Sequence, residues 1–190
     1  MSIVRASLFK YILYLMKKVA IIVAFKDFRD EEYFITKEVL ENKGIKTKTF
    51  SNQKGTAVGR FGGEVEIKET INNIDVDSFD AIVFVGGSGA VEFLDNNISY
   101  NIIRKAKDKI VGAICIAPII LAKAGILKNK KCTVWSSNMD KSAIKTIKEN
   151  GGVYKSEQVV VDGNIITGEN NEASKLFGQS IANILTKQGK

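Results

Sequence analysis

Residues 18–25, Lys-Val-Ala-Ile-Ile-Val-Ala-Phe, form an almost unbroken apolar run, the pattern of a parallel strand covered on both faces. Asp27 and Asp30 follow with oxygens suited to capping a helix. Phe34, Ile35, Val39 and Leu40 then recur at helical period, and Gly44 stands where a left-handed C-terminal residue belongs. Residues 45–50 alternate and predict a second strand, which completes a β-α-β opening. Alternation over 56–67, around Gly62-Gly63, predicts a small antiparallel hairpin. Residues 80–85 read as another buried strand that ends in Gly86-Gly87, and 98–106 as a helix. Residues 109–114 are strand-like and run straight into Cys115, and 118–124 form a helix stopped by Gly125. Beyond it the pattern predicts a strand over 131–135 and a helix over 143–149. A hairpin over 159–167 turns at Asp162-Gly163, and an amphipathic helix over 173–185 closes the chain. Strands alternating with helices predict an α/β fold, a doubly wound, mostly parallel sheet sandwiched by helices. No linker or repeat interrupts it, so residues 16–190 read as a single domain.

The length of 190 residues fits one domain, and 45% hydrophobic with 26% charged residues is the balance of a globular chain with a full core. The sharpest compositional fact is that histidine is absent. Ser-His-Asp triads, Cys-His dyads and His-ligated zinc sites are thereby excluded, and a second copy of the chain could not supply the missing ring. The two cysteines, Cys115 and Cys132, make no disulfide framework and no Cys-x-x-Cys pair, which places the chain in a reducing cytoplasm. The net charge of +7 is spread over many segments without interleaved aromatics. It reads as a Lys/Ile/Glu-rich composition of the thermophilic kind rather than as a nucleic-acid surface.

Residues 1–15 read as an N-terminal extension. The apolar stretch 8–15 contains Lys10 and is too short to span a bilayer, which needs about 20 apolar residues. Two accounts stay open: translation from an upstream start codon, or a short amphipathic helix resting on the domain or a partner.

Three segments carry candidate chemistry. Cys115 ends an apolar strand and Pro118 opens the next helix, so the thiol stands at a strand-to-helix turn. There, free N–H groups and the helix dipole favour a thiolate. Gly86-Gly87-Ser88-Gly89 also follows a buried strand, and glycines there let backbone N–H groups receive an oxyanion. The spacing is not GxGxxG, so a dinucleotide is not indicated. Asp27-Phe28-Arg29-Asp30-Glu31-Glu32 opens onto the same sheet edge. One carboxylate turned inward beside a thiolate would have a raised pKa and could shuttle a proton.

The segment Ala113-Ile114-Cys115-Ile116-Ala117-Pro118, the Gly86-Gly87 strand end and the acidic helix start, in that arrangement, resemble the ThiJ/PfpI family. The match extends over about residues 16–186. The resemblance implies a flavodoxin-like, class I glutamine amidotransferase-like fold. It implies that Cys115 is the elbow nucleophile and that Glu32 is the glutamate hydrogen-bonded to its sulfur. It also implies Gly86 and Gly87 at the oxyanion wall, with Gly87 and Ile116 as the N–H donors. Peptidase-like members carry His directly after the cysteine, where this chain has Ile116. Many members have Ser-Arg after the late hairpin, where this one has Gly168-Glu169, and the resemblance implies that loss of that arginine changes the pocket's anion preference. Cys132 has no part in the motif and reads as core, while Trp135 and Ser136 read as pocket rim.

Three functions follow from the resemblance. The first is a glyoxalase or deglycase acting on methylglyoxal or a glycated substrate through Cys115 and Glu32, with neither metal nor cofactor. The second is an oxidative-stress sensor or chaperone-like protein using the same thiol. The third, ranked last for want of a histidine, is a cysteine peptidase. A homodimer or higher homo-oligomer is expected, and neither a membrane nor a nucleic acid as partner.

Overall fold

A computed structural model describes residues 16–187, so the expectation for 1–15 lies outside the described residues. In chain order, β1 (Lys18–Ile22), β2 (Lys26–Phe28), α1 (Asp30–Asn42) and β3 (Lys46–Ser51) come first. Then follow β4 (Gly55–Gly59), β5 (Glu64–Ile67), β6 (Glu69–Thr70) and β7 (Ala81–Phe84). The next are α2 (Asn97–Lys105), β8 (Ile110–Ile114), α3 (Pro118–Lys123), β9 (Lys131–Cys132) and α4 (Ser142–Glu149). The last are β10 (Val153–Tyr154), β11 (Val159–Asp162), β12 (Ile165–Gly168) and α5 (Ser174–Lys187).

The main sheet has seven strands in the order β11-β12-β8-β7-β1-β3-β6, all parallel except β11 at one edge. Helices cover both faces, which explains the apolar run in β1. Ala20 and Ile22 point to the face packed by Ile103, Ile120 and Ile147 of α2, α3 and α4. Val19 and Ile21 point to the opposite face, against Leu40 of α1 and Phe177 and Ile181 of α5. Successive strand residues alternate between faces, so a strand buried on both must be apolar throughout.

Strand order reverses between β1 and β7. From β1 the chain moves outward to β3, and from β7 it moves the other way to β8. The crevice beyond the carboxyl ends of these central strands is where such sheets place ligands.

Three local expectations are corrected. The first strand stops at Ile22, because from Phe25 onward the backbone joins a separate small sheet of β2, β4 and β5; Val58 donates its N–H to the Phe25 carbonyl at 3.0 Å. Asp27 and Asp30 do not cap α1, which starts after Arg29 with no side-chain cap. The Asp30 carboxylate instead accepts the N–H groups of Phe61 at 2.9 Å and Gly63 at 2.7 Å, pinning the β4–β5 turn to the start of α1. The strand expected over 131–135 is only Lys131–Cys132, paired with β10. Beyond it, Thr133 and Trp135 give their N–H groups elsewhere, to Thr167 Oγ1 and to the Cys115 carbonyl, both at 2.8 Å. Among the described residues no helix is long and apolar enough to cross a membrane.

Candidate active site

Cys115 follows β8 with φ of 63°, in the left-handed region that a side chain rarely occupies. Such a residue costs on the order of 1–3 kcal/mol and persists only where its surroundings fix it. Here they do: Cys115 N–H donates to the Gly168 carbonyl at 2.9 Å, and its own carbonyl accepts the Trp135 N–H at 2.8 Å. The sharp turn lifts the thiol off the sheet into the crevice.

Glu32 reaches the same point from the first turn of α1 and is fully buried. Its Oε2 accepts the Gly86 N–H at 3.0 Å, while the buried Oε1 has no hydrogen-bond partner among the described residues. The residue after β7 has to be glycine for this meeting. A Cβ at Gly86 would lie 2.7 Å from both the Cys115 Cβ and the Glu32 Oε2. Gly87 adopts φ of 94°, and a Cβ there would strike the backbone of Asp27 and Arg29. Gly86 therefore holds the acid, since its N–H is already taken by Glu32. The N–H groups of Gly87 and Ile116 are the ones directed at the sulfur.

The electrostatics couple the two groups. Burial pushes Glu32 up to about 7, against smaller pulls from the Cys115 thiol, the Gly86 N–H and the Arg29 charge. Burial also pushes the Cys115 thiol far up, and the Glu32 carboxylate raises it further, while the N–H groups of Gly87 and Ile116 lower it. This runs against a free-standing thiolate stabilised by a helix end, and α3 has only six residues. A thiolate here requires that Glu32 carry the proton, which removes the repulsion and lets the acid donate to sulfur.

The pair forms the floor of a pocket of about 650 Å³, lined by Arg29, Glu32, Arg60, Phe61, Gly87, Ser88, Cys115, Ile116, Trp135 and Asn171. Five of the predicted residues meet in one corner: Cys115, Glu32, Gly87 and Ile116 line the pocket, and Gly86 lies behind them. Trp135 joins the rim as expected; Ser136 and Glu169 are not among the lining residues. Cys132 is fully buried in the core beneath α4.

Sequence reasoning missed Arg29, Arg60, Phe61, Ser88 and Asn171. Arg29 lies inside the acidic stretch, where the pattern draws attention to the carboxylates alone. Its guanidinium pairs with Glu31 at 2.8 Å and lies 4.6 Å from the centroid of the Phe61 ring. Arg60 and Phe61 sit in the turn of the predicted β4–β5 hairpin. The one available signal was the direct attachment of that hairpin after β3, at the carboxyl end of the sheet.

Comparison with known proteins identifies the family. The model of the DJ-1/PfpI family matches residues 17–184. An uncharacterized protein of Methanocaldococcus jannaschii is 40% identical over 176 residues, covering 91% of this chain and 84% of its own. The deglycase PfpI of Pyrococcus furiosus is 32% identical over 144 residues, covering 74% and 83%. Among solved structures, the ThiJ/PfpI domain protein of Brachyspira murdochii superposes with a TM-score of 0.84 at 31% identity, over 90% of this chain and 98% of that one. Several relatives are named deglycase, and one of Bacillus subtilis is named, provisionally, a cysteine protease. The chain belongs to the DJ-1/PfpI family, and its flavodoxin-like fold is that of the family's solved members.

Proposed function

We propose that the chain is a cysteine-dependent glyoxalase or deglycase acting on reactive aldehydes such as methylglyoxal. The observation that carries this reading is the meeting of Cys115 with a buried glutamate whose pKa stands near 7, in a chain with no histidine. Such a pair supplies a nucleophile and a proton carrier matched to neutral pH.

The thiolate of Cys115 adds to the aldehyde carbon. The carbonyl oxygen becomes an alkoxide that accepts the N–H groups of Gly87 and Ile116, and it takes up the proton from Glu32 to give a hemithioacetal. Glu32, now ionised, removes the hydrogen on that carbon as a proton and returns one to the neighbouring carbon. The hydroxyl proton of the first carbon passes to the oxygen of the second, so the first carbon ends as a thioester and the second bears a hydroxyl. Water then hydrolyses the thioester, releasing lactate and the thiol, so that methylglyoxal and one water are consumed. With a glycated substrate the carbon–nitrogen or carbon–sulfur bond of the adduct first breaks, its hydroxyl proton passing to the departing amine or thiol, and the freed aldehyde enters the same sequence.

Lactate release from methylglyoxal by the purified protein, abolished in Cys115→Ala, is the expected result. Equal release by the variant would refute the reading. Peptide hydrolysis is the weaker alternative, because the amine leaving group needs a general acid and Glu32 would serve alone. The half-buried position of Cys115 in an open pocket, with Cys132 fully buried, favours oxidant sensing as the second reading. Mild peroxide would then add two oxygens selectively to Cys115, measured by mass spectrometry. Preferential oxidation of Cys132 would exclude it.

A further inference from the structure

We infer that the pocket selects carbonyl compounds bearing an anionic group, a carboxylate or a phosphate, and that Arg60 is the residue that selects them. The substrate class rests on the aldehyde chemistry proposed above; the charge preference stands on the pocket alone.

Three charged side chains line the pocket: Glu32 on its floor, and Arg29 and Arg60. Arg29 is already engaged, by Glu31 at 2.8 Å and by the face of Phe61. Arg60 has no ion pair and no side-chain hydrogen bond among the described residues, and it is exposed. Its backbone is nevertheless held firmly. Arg60 N–H donates to the Phe28 carbonyl at 2.9 Å, and the N–H groups of Phe61 and Gly63 are both taken by Asp30. A guanidinium on a pinned turn, at the wall of a pocket and without a partner, is a ready fork for carboxylate or phosphate oxygens.

The neighbouring surfaces suit the rest of such a ligand. Phe61, 63% exposed, and the half-buried Trp135 offer aromatic surface to its carbon chain. Asn171 lines the same pocket and adds an amide. A compound whose carbonyl reaches Cys115 can thus direct an anionic tail to Arg60 while its carbon chain lies along the rings.

Alkylation by iodoacetate and iodoacetamide tests this, because the two reagents present the same reacting carbon and differ in charge. The measured quantity is the ratio of their rates at Cys115, followed by mass spectrometry and divided by the same ratio for N-acetylcysteine. A relative ratio above unity by about fivefold or more is expected from one guanidinium at short range in a partly dry pocket. It should fall toward unity in Arg60→Gln and in high salt. A relative ratio of one or less in the wild type would overturn the proposal. So would a raised ratio that Arg60→Gln leaves unchanged, or a Cys115 that neither reagent reaches. Alkylation needs no aldehyde turnover, so a raised ratio with no lactate release would sink the glyoxalase reading and leave anion selection standing.

Discussion

Ionised Glu32 holds the proton on Cys115: its charge beside the thiol raises it, on top of the larger effect of burial. Carboxylate with thiol, and acid with thiolate, carry the same total charge, so the pair shares one proton and titrates as a unit. The reactive form is the second arrangement, and it appears once the pair has lost its first proton. With Glu32 near 7, alkylation of Cys115 by iodoacetamide should rise with pH through about 7 and then level. In Glu32→Gln no carboxyl can take the thiol proton, so the inflection near 7 should vanish and reactivity should climb only at higher pH. The same inflection in both proteins would show that the two groups are not coupled.

The raised pKa of Glu32 also makes stability depend on pH. Folding lifts it from 4.5 to about 7, so between those values the folded chain binds more protons than the unfolded one. Stability is therefore fully present below about pH 4.5 and is lost as pH rises through 7. For a fully buried carboxyl the shift corresponds to on the order of 3 kcal/mol. Thermal melts of the wild type should fall between pH 5 and pH 8 relative to Glu32→Gln, in which that proton is absent. Parallel melting curves for the two would contradict the assignment.

Backbone geometry at the nucleophile gives a further expectation. Gly usually destabilises relative to Ala, because the unfolded chain gains freedom. At Cys115, with φ of 63°, an Ala Cβ keeps the left-handed strain and Gly removes it. Cys115→Gly should therefore be as stable as Cys115→Ala or more so, by about 1 kcal/mol, in chemical denaturation. An Ala variant more stable than the Gly variant would mean that the turn relaxes once the thiol is gone.

The frame of the sheet was legible in the sequence because it is covered on both sides. The apolar run of β1 could be read without knowing any neighbour, and the elbow could be read because Pro118 follows Cys115 so closely. The site's remaining parts depend on contacts distant in sequence. Four carboxylates stand between Asp27 and Glu32, and only the resemblance to a family singled out Glu32; in the fold it is the Gly86 N–H, 54 residues away, that fixes its carboxyl. Asp30 looked like a helix cap, yet its carboxylate serves a turn 31 and 33 residues further on. Trp135 looked like the end of a strand, but its N–H belongs to the Cys115 carbonyl. Local pattern reports which residues want burial; it does not report which buried polar group another segment will satisfy.

Asp30 is the point at which that long-range arrangement can be broken cleanly. Asp30→Ala leaves the N–H groups of Phe61 and Gly63 without their acceptor and should cost about 1–3 kcal/mol. The larger consequence is local. The turn that carries Arg60 would lose its tie to α1, and the stacking of Arg29 on Phe61 would loosen with it. Trypsin should then cut after Arg60 much faster than in the wild type under native conditions, with the site identified by mass spectrometry. Because Asp30 does not line the pocket, Cys115 should keep its reaction with iodoacetamide while the advantage of iodoacetate declines. Cleavage after Arg60 at the wild-type rate would show that the Asp30 carboxylate is not what holds the turn.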